Sequence, residues 1–174
     1  MINLDTLGRE PGPSFDEPLA MLLACHDKIR RFCDQLEALP GHIASRGVDE
    51  AVQGSIDGVM RYFDQAGPQH HSDEEEELFP ILLERVPEAA PRLERLASEH
   101  GYLQSCWNEI RDDLLALKKG ELEAVNPTEI GEFVRMYREH AEIEEQWLIP
   151  TAERTLSADE QRAAGERMAA RRQR

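Results

Sequence analysis

One eleven-residue pattern occurs twice in this chain. It reads His70-His71-Ser72-Asp73-Glu74-Glu75-Glu76-Glu77-Leu78-Phe79-Pro80 and then His140-Ala141-Glu142-Ile143-Glu144-Glu145-Gln146-Trp147-Leu148-Ile149-Pro150, and both obey H-x3-E-E-x2-L-[FI]-P. Phe63 and Phe133 stand at the same offset upstream. A lone histidine precedes each repeat: His26 lies 44 residues before His70, and His100 lies 40 before His140. The chain is therefore two halves on one plan, a histidine and then His-x3-Glu. Residues four apart share one helix face a turn apart, so each His/Glu pair points at one locus.

The apolar residues around these pairs keep the same period. Leu19, Leu22, Leu23, His26, Ile29, Cys33 and Leu36 step by threes and fours along a first helix, which Pro40-Gly41 is expected to end. A second stripe carries Val52, Ile56, Val59, Phe63, His70, Glu74, Leu78 and Ile81, with a kink or break expected at Gly67-Pro68. Leu93, Leu96, His100, Leu103, Trp107, Ile110, Leu114 and Leu117 make a third, between Pro87/Pro91 and a loop from Gly120 to Asn126. Asn126-Pro127 has the form of an N-cap and first turn, opening a fourth helix with Ile130, Phe133, Tyr137, His140, Glu144 and Trp147. Ser157-Ala158-Asp159-Glu160 has capping-box form and should start a short fifth.

No segment alternates like a strand. The expected fold is all-α, an antiparallel up-down-up-down four-helix bundle with a short C-terminal helix. The divisions are an extended N-terminal arm (1–14), a bundle (15–156) and a C-terminal helix or tail (157–174), whose arginines read as a solvated helix end.

Charge and cysteine content exclude several classes. A net charge of −15 repels nucleic acid and anionic lipid. Three cysteines, without CxxC spacing, fit a reducing compartment rather than a disulfide framework. The opening Met-Ile-Asn-Leu-Asp lacks a signal-peptide pattern, and no run reaches the ~18 apolar residues needed to span a bilayer. A cytoplasmic location is the expectation.

With these helix ends, the four stripe histidines fall ~10–16 residues from one common end of the bundle, ~15–24 Å at the helical rise. Four histidines and two glutamates then meet at one level of an apolar core, where neither stripe offers a lysine or arginine. Two buried carboxylates need a cation, and a metal supplies it. Four imidazoles and two bridging carboxylates fill eight of the roughly twelve positions of a six-coordinate pair. The remainder suits a solvent-derived oxo or hydroxo bridge and an exchangeable ligand. Imidazole and carboxylate without thiolate suit Fe, Mn or Zn, and the open, bridged arrangement favours two non-haem iron ions, with zinc or manganese as substitutes. Cys25 points about 100° from His26 on a helix and is not counted.

The twin segments, each after a lone helical histidine, resemble the hemerythrin-like HHE cation-binding domains of bacteria over roughly residues 18–156. The resemblance implies that His26, His70, Glu74, His100, His140 and Glu144 ligate iron, Glu74 and Glu144 as bridges. One position departs. Oxygen-carrying hemerythrins place a further histidine four residues after the third, and here that residue is Gln104. The four-histidine version is more similar to bacterial iron–sulfur repair proteins, although this chain lacks their cysteine-containing N-terminal domain. His71 either replaces the missing ligand, as the residue beside the second histidine does in a related eukaryotic iron-sensing domain, or sits beside the site or faces solvent.

Other residues receive plainer readings. His42 is expected on the surface in the Pro-Gly loop. Glu75 and Glu76 are expected to form a solvated acidic face. Tyr62, Tyr102, Tyr137, Trp107 and Trp147 are expected to pack, with Tyr137 placed to support a ligand.

The expected function is a binder rather than a catalyst: a di-iron protein that takes dioxygen or nitric oxide, or senses iron or redox state, with no nucleic-acid or membrane partner. The alternative is an enzyme that reduces peroxide or nitric oxide, or acts in iron handling or repair of damaged iron centres. Ferritin-like oxidases are excluded because Leu23, Gly67, Ala97 and Tyr137, not glutamates, stand three before the core histidines. Six ligands overfill a tetrahedral zinc site, and CxxCH haem attachment is absent.

Overall fold

Residues 13–173 are described by a computed structural model of the chain. Helix α1 is Pro18–Arg46, α2 is 50–85, α3 is Ala90–Lys118, α4 is 127–155 and α5 is Ala158–Arg171. No strand occurs among the described residues. The capping signals act as their chemistry dictates. Asp49 accepts from Val52 N at the start of α2, Asn126 accepts from Thr128 N at α4, and Ser157 and Glu160 form a reciprocal capping box at α5.

The core has two apolar clusters with a polar layer between them. One contains Ile29, Phe63, Leu103, Phe133 and Tyr137; the other contains Leu22, Leu78, Leu96 and Leu148. Along α1 the order is Leu22, His26, Ile29, and along α3 it is Leu96, His100, Leu103. Along α2 and α4 it reverses: Phe63, His70, Leu78 and Tyr137, His140, Leu148. Each of the four helices thus crosses from one cluster to the other through its histidine, and consecutive helices cross in opposite directions. This is an up-down-up-down four-helix bundle, with α5 laid against its end beside α1 and α2. Among the described residues, no helix is long and apolar enough to cross a membrane.

Helix α1 does not stop at Pro40-Gly41. It runs to Arg46 and ends at Gly47, whose φ of 75° suits glycine. An interior proline costs ~3 kcal/mol, but Leu39 and Ile43 continue the buried stripe, and burying each contributes roughly 1.5–3 kcal/mol. His42 accordingly lies on the helix, half-exposed and 2.9 Å from Asp49 Oδ2, rather than in a loop.

Nor does α2 break at Gly67-Pro68. It passes through a wide π turn, Tyr62–Ala66, in which Gly67 N–H donates to Tyr62 O five residues back. Glu74–Leu78 and Glu144–Leu148 are π turns of the same kind, closed by Phe79 N–H to Glu74 O and Ile149 N–H to Glu144 O. A proline follows each closing residue: Pro68, Pro80 and Pro150. Proline has no N–H and its ring crowds the carbonyl four residues back; the wider turn relieves that crowding without ending the helix.

The wide turns also move the buried stripe. A turn of more than four residues keeps position +4 inside, so Leu82 and Leu148 are buried while Ile81 and Trp147 are half-buried. Arg92 lies over the Trp147 ring at 5.2 Å. Tyr102, expected to pack, is 59% exposed.

The C-terminal arginines are not a solvated helix end. Arg167, Arg171 and Arg172 pair with Asp73, Glu76 and Glu77 on α2. Residues 1–12 of the expected arm, and Arg174, lie outside the described residues.

Candidate metal centre

The H-x3-E pairs enter the layer from α2 and α4 and the lone histidines from α1 and α3, and all six side chains are buried. His26 Nε2 lies 3.2 Å from His70 Nε2 and 3.1 Å from Glu144 Oε2. His70 Nε2 is 3.4 Å from Glu74 Oε1. His100 Nε2 is 3.5 Å from Glu74 Oε2 and 3.3 Å from Glu144 Oε1, and His140 Nε2 is 2.7 Å from the latter atom. The two carboxylates therefore stand between histidines of opposite sides.

His71 is buried with them. Its ring stacks on His100 at 4.0 Å between centroids, and Tyr137 Oη lies 3.0 Å from its Nε2. One donor atom from each of His71, His100 and His140 falls within 4.8 Å of the others, and the same holds for His26, His70, Glu74 and Glu144. The structure thus divides seven residues into two adjoining groups. Gln104 donates its amide to Asn108 on the exposed side of α3.

Three imidazoles are oriented from behind. His26 Nδ1 donates to Glu145 at 3.0 Å, His100 Nδ1 to Glu75 at 2.6 Å and His140 Nδ1 to Glu99 at 2.8 Å. Arg30 holds Glu145 at 2.7 Å, and Arg95 holds Glu99 at the same distance. A proton fixed on Nδ1 leaves the Nε2 lone pair facing the centre. Glu75 is therefore not a freely solvated acid. Its signal in the sequence was the glutamate doublet: in both repeats the first acid turns inward and the second reaches a histidine on a neighbouring helix. Glu99, which has no counterpart in the repeat, carried no such signal.

Electrostatics single out the two inner carboxylates. Burial, and then the neighbouring Glu144, push Glu74 well above the usual carboxylate range. Burial acts upward on Glu144 too, but His100, His140, His26 and His70 reverse it and hold that carboxyl well below. Burial lowers His70, and burial with His100 beside it lowers His71 further. His140 is drawn down by burial but carried above its ordinary value by Glu144. Burial raises the Tyr137 phenol well above its normal range, so it stays a donor.

Both Glu74 oxygens, Glu144 Oε2, His70 Nδ1 and His140 Nε2 have no hydrogen-bond partner among the described residues. The His140 atom approaches Glu144 closely but not in hydrogen-bond alignment. The ion pairs of the two carboxylates all run to histidine. Buried, unpartnered carboxylate oxygens are too costly to persist alone, and a cation among them satisfies every one. The donor set fits a metal.

Comparison with known proteins agrees with this geometry. The family model for the hemerythrin HHE cation-binding domain matches residues 17–152. A protein of Haemophilus influenzae is 35% identical over 160 residues, covering 92% of each chain. With its paired histidines and glutamates assembled in one buried layer, the chain belongs to the hemerythrin HHE cation-binding domain family.

Proposed function

We propose that the protein holds two iron ions side by side in this layer and binds a small diatomic ligand, dioxygen or nitric oxide, there. His26 and His70 would hold one ion, and His71, His100 and His140 the other, with Glu74 and Glu144 available to both. The observation that supports this reading is the pair of buried carboxylates whose unpartnered oxygens lie beside His26, His70 and His100. Bound iron supplies a reversible one-electron valence change and an open coordination position. The chain's own part is to bind, orient and enclose. Glu145, Glu75 and Glu99 fix three imidazoles, and the flanking apolar clusters exclude water. His71 takes the place that Gln104 leaves, with Tyr137 as its hydroxyl partner.

Metal analysis should give close to two irons per chain. The anaerobic, reduced protein should develop near-ultraviolet and visible absorption on exposure to air or nitric oxide. One tightly held zinc, with no uptake of added iron, would overturn the reading. Sustained consumption of peroxide or nitric oxide would transfer the same centre to the enzymatic reading.

A further inference from the structure

Three of the positions at which the repeats differ bear on the C-terminal helix. Asp73, Glu76 and Glu77 in the first correspond to Ile143, Gln146 and Trp147 in the second. These acids meet the arginines of α5, which lies beyond the family match at residue 152. Arg171 pairs with Asp73, with Glu76 at 2.7 Å and with Glu77 at 2.9 Å; Arg172 reaches Asp73 at 2.6 Å. The Asp73 side chain is fully buried, and the two arginines are its ion-pair partners. The paired acids bracket and enter the Glu74–Leu78 turn, the segment that aims Glu74 into the polar layer.

Helix α5 is itself fastened independently of these pairs. Ala164 and Met168 sit in the second apolar cluster. A Cβ on Gly165 would stand 1.8 Å from the Phe15 carbonyl oxygen, so only glycine admits the chain there. The equivalent Glu144–Leu148 turn carries no acid at these three positions and is met from other helices instead, by Arg30 at Glu145 and by Arg92 over Trp147.

We propose that Arg171 and Arg172 are positioning residues that lock the Glu74–Leu78 turn, so that α5 controls how one of the two inner carboxylates is presented to metal. The proposal rests on the metal-binding reading above. It gives an accessory helix authority over one of the two inner carboxylates.

The test uses full-length protein with Arg171→Leu and Arg172→Leu, alone and combined with Asp73→Asn, which removes the stranded buried charge and protects folding. Amide hydrogen exchange of the metal-free chain should quicken at residues 74–79 and stay unchanged at 144–149. In anaerobic Co(II) titration, affinity should fall ~10–100-fold, the range seen when groups supporting a ligand are lost. The Co(II) absorption should change with it, and Arg171→Lys with Arg172→Lys should restore part of both. Arg162→Leu, whose partner is Asp159 on the same helix, should be silent. Unchanged exchange and affinity, or equal loosening of both turns, would overturn the proposal. If the unaltered chain takes up no Co(II), the metal reading fails, while the exchange pattern still decides whether the clasp holds the turn.

Discussion

Glu75 and Glu145 are the second acids of their repeats, and each supports a histidine on a neighbouring helix at 2.6 and 3.0 Å. A four-residue step on one helix identifies which acid points inward, as it did for Glu74 and Glu144. It does not say what the next acid, about 100° around, will meet, because that depends on where the adjacent helix lies. Glu75→Ala and Glu145→Ala should each lower iron affinity ~10–100-fold while leaving helicity intact. Metal titration followed by circular dichroism checks both, and Glu142→Ala, on the exposed face, is the silent comparison. His71→Ala should reduce stoichiometry toward one iron per chain, because it removes one of only three histidines in its group. Two irons held at unchanged affinity in that variant would show that His71 stands beside the centre and not in it.

At the scale of elements, the helices and their capped starts were legible because caps and apolar periodicity are local. Asn126 and Ser157 needed no tertiary information. Proline was harder to read. Pro40, Pro68, Pro80 and Pro150 all look like terminators locally, yet burial of the stripes on either side keeps the helices running, three times through a π turn. The docking of α5 was hidden for another reason: its arginines find their acids about ninety residues away. Ser157→Ala should destabilise the protein by ~1 kcal/mol, as loss of an N-cap does, measurable by urea denaturation. Arg85, with Ser157, holds the Glu160 carboxyl down at about 2. Because the folded value is depressed, the contribution is complete above the unfolded value of 4.5 and fades as pH falls from there toward 2. The stability difference between Glu160→Gln and the unaltered chain should therefore shrink across that window. A constant difference would show that the Arg85 pair contributes nothing.

For the whole molecule, the net charge of −15 places self-repulsion on the surface while two of the acids it counts sit at the centre. Removing metal with a chelator should lower the melting temperature at neutral pH. The gap between loaded and metal-free protein should narrow below pH ~6, where protons compete for the histidines. Equal melting temperatures at neutral pH would contradict a structural contribution from the ion. The two apolar clusters bear on a different quantity, cooperativity. Each of the four bundle helices contributes residues to both, but the layer between them joins side chains that repel or are left unsatisfied unless a cation binds them. The loaded protein should unfold as one unit, with calorimetric and van't Hoff enthalpies equal. The metal-free protein should melt over a broader range, its calorimetric enthalpy exceeding the van't Hoff value, as the two ends of the bundle come apart on their own schedules.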